Sequence, residues 1–398
     1  MAAPHKRHYA DNACILCYSL GMYKMFAYRI FPTKKQETAL HETLEECRWL
    51  YNHLLAKRKH ANEQEGVSLS LYQQQATFPI LKSERPRLTT VHSQVLQNVA
   101  VRLDLAMKAF FRRVKAGETA GYPRFKGHDR YDSITYPQSG FKIDEQGKLY
   151  ASGIGHIKIV LHRPIRGKIK TLTIRRSSTG KWYASFAVEC DPERMKDRPE
   201  QVGIDVGLLT FATLSTGEEI TNPRFFRKEE KALARVQRKH SKLARGTTER
   251  RKHRKAVARV HERIKFRRDN FTHQESHQIV DRYGVIAVED LRVNHLTHNH
   301  CLAKSIQDAS WSEFFSKLAC KAEEADGRYV AVNPAYTSQD CSRCQHRQTM
   351  PLSERIYHCP CCLLSIDRDL NAALNILSVG LHALGTQPVE APARRPGE

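Results

Sequence analysis

The sequence predicts a multidomain chain of mixed α/β and α+β class. A small β-domain interrupted by a helical insertion comes first, followed by a strand-and-helix domain that carries a cysteine-rich insert. Three observations support this. With 398 residues the chain has room for two or three domains and a sizeable core. One strand pattern near the start is separated by two long helical stripes from a later run of strand patterns. Farther on, short apolar strands that contain or end in carboxylates alternate with helices, and two Cys-x-x-Cys pairs lie close to the end.

"MYKMFAYRIFPTKKQ", from Met22, reads as a natural beginning, so residues 1–21 are expected to be an upstream extension. Residues 25–31 form a strand. Pro32 and Thr33 then open a helix, with Gln36 at capping-box spacing from Thr33. Leu40, Leu44, Cys47, Leu50, Tyr51, Leu54 and Leu55 mark its apolar side, and Val91, Val95, Val99, Leu103, Ala106 and Phe110 mark that of a second helix over 89–114. The loop "GETAGYPRFKGHDRYDS" interleaves basic and aromatic residues, a composition suited to stacking bases or, equally, to a solvated turn. From about 142 to 189 the strands "HIKIVL", "KIKTLTIRR" and "GKWYASFAVE" follow, the last two joined by a hairpin turn "SSTGK".

Residues 227–268 hold 18 Lys or Arg against four acids, with Leu233, Val236, Leu243, Val257, Val260 and Ile264 as a thin apolar stripe. Two basic helices with a break near "ARGTTE" are expected. Charge of nearly one sign repels itself, and a nucleic-acid backbone is the simple partner that offsets it. "YGVIAVEDL" (283–291) is a strand ending in Glu289 and Asp290, a helix covers 311–324, and "GRYVAVNP" is a further strand. The Pro-, Gly- and Ala-rich tail after Leu377 is expected to be disordered.

Lys and Arg total 65 against 42 acids, a formal charge of +23, which again favours a polyanionic partner. No apolar run approaches the roughly 18 residues of a membrane span, and the polar-interrupted start does not fit a signal peptide. A cytoplasmic, nucleoid-associated protein is expected, in which 11 cysteines serve as thiols or metal ligands. Cys47, Cys190, Cys301 and Cys320 read as small buried hydrophobes. Cys14 and Cys17 form a lone pair with no second pair nearby.

Cys341-x-x-Cys344 and Cys359-x-x-Cys362, 14 residues apart, supply four thiolates for a tetrahedral zinc ion. Four cysteines leave no open position, so the zinc is structural. Cys361 is a spare within "CPCC" and could compete with Cys362. Just beyond lies "DRDLNAALNIL", a helix with Leu370, Ala373, Leu374 and Leu377 on its apolar side. Asp367 there suits a helix cap. Asp205 sits inside the apolar run 202–206, where a lone charge is costly unless paired or bound to metal. A sheet could bring Asp205, Glu289 and Asp369 together, and converging carboxylates suit Mg²⁺. Two such ions activate water and stabilise the leaving oxygen in phosphodiester hydrolysis.

"GIDVGL", "VIAVEDL" and "DRDLNAALNIL", in that order and with the paired cysteines before the last, resemble the split RuvC nuclease of the TnpB family, transposon-encoded RNA-guided relatives of type V CRISPR effectors. "YRIFPTKKQ", "GYPRFK", "SWSEFFSKLACKAE" and "AYTSQDCSRC" add to the likeness, which covers roughly 22–377. The resemblance implies a β-barrel (wedge) domain over 22–195 with a helical recognition insert at about 38–130. An RNase H-like RuvC domain over 196–378 would follow, with a zinc-ribbon insertion at about 336–364 and a disordered tail over 379–398. It places the family's Mg²⁺-binding catalytic acids on Asp205, Glu289 and Asp369 and its zinc ligands on Cys341, Cys344, Cys359 and Cys362. The implied protein is an Mg-dependent DNA endonuclease, a monomer. It would use guide RNA from the transposon end to pair with double-stranded target DNA beside a short motif. The alternatives are a nuclease-inactive RNA-guided repressor and a guide-free RNase H-like resolvase or transposase. Two departures stand out: the family's glycines after the knuckles are Gln345 and Leu363, which should strain tight turns.

Overall fold

Alternation sets the first sheet. In the computed structural model, which describes residues 22–190, 198–351 and 353–385, strand β1 (Met22–Phe31) pairs antiparallel with β7 (Trp182–Cys190), Phe26 facing Phe186 and Ile30 facing Trp182. Every second residue of β7 is buried, from Trp182 to Cys190. The expected extension 1–21, its Cys14 and Cys17, and residues 386–398 lie outside the described residues. The described residues divide into two compact units, one from residues 22–190 and one from residues 198–385.

In the first unit, α1 (Lys34–Glu65) follows β1. Its capping box is as expected: the Gln36 amide donates to Thr33 Oγ1 and the Thr33 amide to Gln36 Oε1 at 3.0 Å. Two short helices, α2 (Leu71–Ala76) and α3 (Phe78–Glu84), and a 3₁₀ turn at Pro86–Thr90 lead to α4 (Ser93–Lys115). The second long helix thus starts later than 89, because Pro86 and the extended Val91 interpose a turn. Strands β2 (Ser133–Tyr136), β3 (Phe141–Ile143), β4 (Leu149–Ala151), β5 (Gly155–Val160) and β6 (Lys168–Arg176) then precede β7. The sheet order is β2-β6-β7-β1-β5-β4-β3, all antiparallel. Its two edges, β2 and β3, are near neighbours in the chain, so the sheet curls into a nearly closed barrel. The apolar stripes of α1 and α4 share one core with it, including Leu40, Leu50, Leu103, Ile134 and Phe186. Within the helical block the buried Arg58 bridges Gln74 and Asp104.

The second unit opens with β8 (Gln201–Val206), β9 (Thr210–Leu214) and β10 (Glu219–Thr221), an antiparallel meander. The basic stretch is two helices, α5 (Phe225–Ser241) and α6 (Thr248–Arg282), which meet through Leu233, Val260 and Ile264. The buried Glu229 pairs with Arg263 and Arg267 across them. Strand β11 (Val285–Glu289) follows, then short helices α7 (Val293–Leu296) and α8 (Ala303–Ala309), α9 (Trp311–Glu324) and β12 (Arg328–Val332). Both β11 and β12 run parallel to β8, giving the order β10-β9-β8-β11-β12 of an RNase H-like sheet. A small hairpin, β13 (Ile356–His358) and β14 (Ser365–Asp367), precedes α10 (Arg368–Leu384).

Residues alternate across this sheet. Val202, Ile204, Ile286 and Val288 pack with α6 and α9, and Gly203 and Ala287 face α10. A Cβ on Gly203 would lie 2.1 Å from the Ala373 carbonyl oxygen, and one on Gly380 would lie 2.6 Å from the Ala287 Cβ. Small residues on both partners therefore let α10 lie directly on the sheet. Of the expected apolar side of α10, Ala373 and Leu377 do meet Gly203, and the buried side extends farther round the helix. Its buried positions are Asn371, Ala372, Ala373, Asn375, Ile376, Gly380 and Leu381, whereas Leu370, Leu374 and Leu377 are half-buried. The helix also continues past Leu377 to Leu384, where Gly385 caps it at φ 64°, so residues 379–384 of the expected tail are helical. Contrary to expectation Cys301 is exposed, in the turn before α8, and Cys320 is half-buried, outside the buried residues of α9, unlike the buried Cys47 and Cys190.

Candidate active site and zinc centre

The register of the parallel strands sets the site. Val288 of β11 faces Ile204 of β8, so Glu289 and Asp205 are the next residues on their strands. Asp205 is two residues beyond Gly203 and Glu289 two beyond Ala287, which puts both on the face covered by α10. The start of α10 brings the third carboxylate. Asp367 is its N-cap, its Oδ1 accepting from the Asp369 and Leu370 amides at 2.9 and 3.0 Å, so it has the capping role the sequence suggested. Asp369 follows in the first turn.

Asp205 feels both of the other carboxylates. Burial, then the Glu289 and Asp369 charges, pushes the Asp205 carboxyl well above the usual range. Burial raises Glu289 as well, opposed by a hydrogen bond from Thr337. Burial and the neighbouring Asp367 raise Asp369, opposed by Arg355, whose guanidinium is 3.9 Å away. Three hard oxygen donors, with Asp205 raised by the other two, fit Mg²⁺ chemically. Beside Glu289 a cleft of 610 Å³ is lined by Asp290, Arg292, His295, Ala331 and Pro334.

The cysteine pairs close a second centre. Cys341 and Cys362 Sγ are 3.5 Å apart, as are those of Cys344 and Cys359. Tetrahedral zinc with 2.3 Å bonds requires sulfurs about 3.8 Å apart, so the four thiols fit a structural zinc ion. Cys361 is exposed and stands outside the cluster. The expected strain at the knuckles is present: Gln345 and Leu363 have φ of 61° and 55°, in the left-handed region that favours glycine.

Residue-by-residue reading missed the groups that link the two centres. Thr337 Oγ1 donates to Glu289 Oε1 at 2.5 Å. Asn375 Nδ2 donates to the carbonyls of Thr337 and Asp340, and Asn371 Nδ2 to that of Asp340. Asn371 and Asn375, four apart on a helix otherwise buried through apolar residues, were the available signal.

Comparison with known proteins agrees with this architecture. A protein of Streptomyces pristinaespiralis named "Putative RNA-guided DNA endonuclease" is 34% identical over 367 residues, 90% of each chain. The chain belongs to the TnpB family. InsQ of Escherichia coli (strain K12), named in the same words, is 30% identical over 380 residues, covering 90% of this chain and 92% of InsQ. The family model OrfB_IS605, "Probable transposase", matches residues 185–300, and "Cas12f1-like, TNB domain" matches 311–376. A "Helix-turn-helix domain" model matches 22–66, yet these residues form β1 and the single continuous helix α1. The fold is similar to that of the chain in the "Cryo-EM structure of the Cas12f1-sgRNA-target DNA complex", with a TM-score of 0.57 at 14% identity, covering 86% of this chain and 83% of that one.

Proposed function

We propose that the chain is an RNA-guided DNA endonuclease of a transposable element, with Asp205, Glu289 and Asp369 as its Mg²⁺-binding catalytic acids. The observation that supports this reading most is the convergence of three carboxylates from β8, β11 and α10 at the end of one RNase H-like sheet. The names of the similar proteins support the guide and the substrate. When bound, Mg²⁺ supplies the positive charge that lowers the pKa of water and neutralises the leaving oxygen. The protein's part is to hold three negative groups at fixed positions on rigid elements. The exposed Arg251, Lys252 and Lys255 of α6 offer cations to a nucleic-acid backbone, which they would read by charge and shape. Pairing of guide with target would supply the sequence information.

The test is cleavage. The chain is purified with the RNA transcribed from DNA adjoining its gene and given a plasmid matching that guide. Asp205→Ala, Glu289→Ala and Asp369→Ala are each expected to lower cleavage by at least about 10³-fold, as is chelation of Mg²⁺ in the parent. Guided DNA binding should persist. Cleavage by all three variants at the parental rate would remove this reading.

A further inference from the structure

We infer that Thr337 is a positioning residue for the Glu289 carboxylate, held in place by α10 and by the zinc ribbon that starts four residues later. This rests on the reading of Glu289 as a metal-binding acid. The 2.5 Å bond from Thr337 Oγ1 to Glu289 Oε1 is in the range of a hydroxyl donating to a carboxylate. Among the described residues the other acceptor near that hydroxyl is the Pro334 carbonyl, farther off at 3.2 Å. A hydroxyl has one proton, so the carboxylate takes it.

Thr337 is itself fixed. It is 6% exposed. Its carbonyl accepts from Asn375 Nδ2 at 2.8 Å, and the same amide reaches the Asp340 carbonyl at 2.7 Å. Asn371 Nδ2 donates to that carbonyl too, while its Oδ1 accepts from the Ser342 amide, on the residue after the zinc ligand Cys341. The preceding residue, Tyr336, has φ 68°, a conformation that survives only where the surroundings impose it. Helix α10 thus carries Asp369 directly and fixes Glu289 through Asn375 and Thr337. The zinc knuckle anchors the far end of the same segment. The ribbon therefore does more than stabilise a loop, because its order is passed to a carboxylate of the active site.

Thr337→Val removes the hydroxyl and keeps the shape, and Thr337→Ser restores the hydroxyl. Mn²⁺ titration of the RNA-bound protein, read by electron paramagnetic resonance, is expected to show affinity reduced by about tenfold or more in Thr337→Val and near parental in Thr337→Ser. Zinc content and target-DNA affinity should match the parent in both. Thr337→Ala gives the same readout without a second methyl beside Glu289, should the valine variant fail to fold. Parental Mn²⁺ affinity in Thr337→Val or Thr337→Ala, or loss of affinity in Thr337→Ser, would overturn the inference. So would loss of zinc together with loss of Mn²⁺ affinity, which marks collapse of the ribbon. Glu289→Gln in the same titration separates the two readings: if it binds Mn²⁺ as the parent does, the assignment of Glu289 fails rather than the role of Thr337.

Discussion

A carboxylate disfavoured by burial and by two like charges destabilises the fold whenever it is ionised. For Asp205 the folded-state pKa lies well above the ordinary value of 3.8. Between those values the folded chain binds more protons than the unfolded chain, so stability falls as pH rises through that window. Asp205→Asn removes the charge and nearly keeps the shape. In chelator near pH 7 this variant is expected to melt above the parent, by roughly 2–4 °C for each kcal/mol recovered. The gap should close as pH falls toward 4. Added Mg²⁺ should raise the melting temperature of the parent and leave the variant unmoved. Melting of the variant at or below the parental temperature at neutral pH would show that Asp205 is not under this strain. Such a cost is what a binding site accepts for function. It was visible in the sequence because a charge inside an apolar run has few bland explanations. Thr337 was not, because a hydroxyl in a loop has many and its partner lies 48 positions away.

At the scale of elements, α5 and α6 show how far pattern reading reaches. The paired basic helices were expected from charge and a thin apolar stripe, and Leu233, Val260 and Ile264 do join them. Glu229, one of only four acids in that stretch, is buried between two arginines, a role no periodicity reveals. The outward charges should count individually. Replacing Arg251 and Lys252 with Ala is expected to weaken RNA binding and reduce the slope of log affinity against log salt by about 1 per cation removed. Binding measured from about 50 to 200 mM salt checks this, and an unchanged slope would place the nucleic acid elsewhere. Helix α10 shows the opposite case. Its leucines marked only part of the buried side: Ala373 and Leu377 do meet Gly203, but Asn371, Ala372, Asn375, Ile376 and Gly380 complete it, and the small residues among them let backbones approach. Only the position of Gly203 on the strand explains that choice. The end of the helix was misplaced for a related reason: Gly380 counted toward a Pro-, Gly- and Ala-rich tail, yet it serves close packing.

Over the whole molecule, the order of elements was legible because each domain writes its period plainly: alternation in β7, helical stripes in α1, paired cysteines in the ribbon. The strand order of the sheets was not, since parallel pairing of β8, β11 and β12 joins residues separated by helices and loops. The net charge of +23 suits the proposed function, in which protein–backbone contacts would favour an RNA–DNA heteroduplex over a DNA duplex of similar stability. All of this serves hydrolysis only if the acids of β8, β11 and α10 share metal. Anomalous diffraction at the manganese edge, from crystals of the RNA-bound protein grown with Mn²⁺, tests that directly. Two peaks about 3.5–4 Å apart, contacted by Asp205, Glu289 and Asp369, are predicted. Active protein with no peak at these carboxylates would contradict the account.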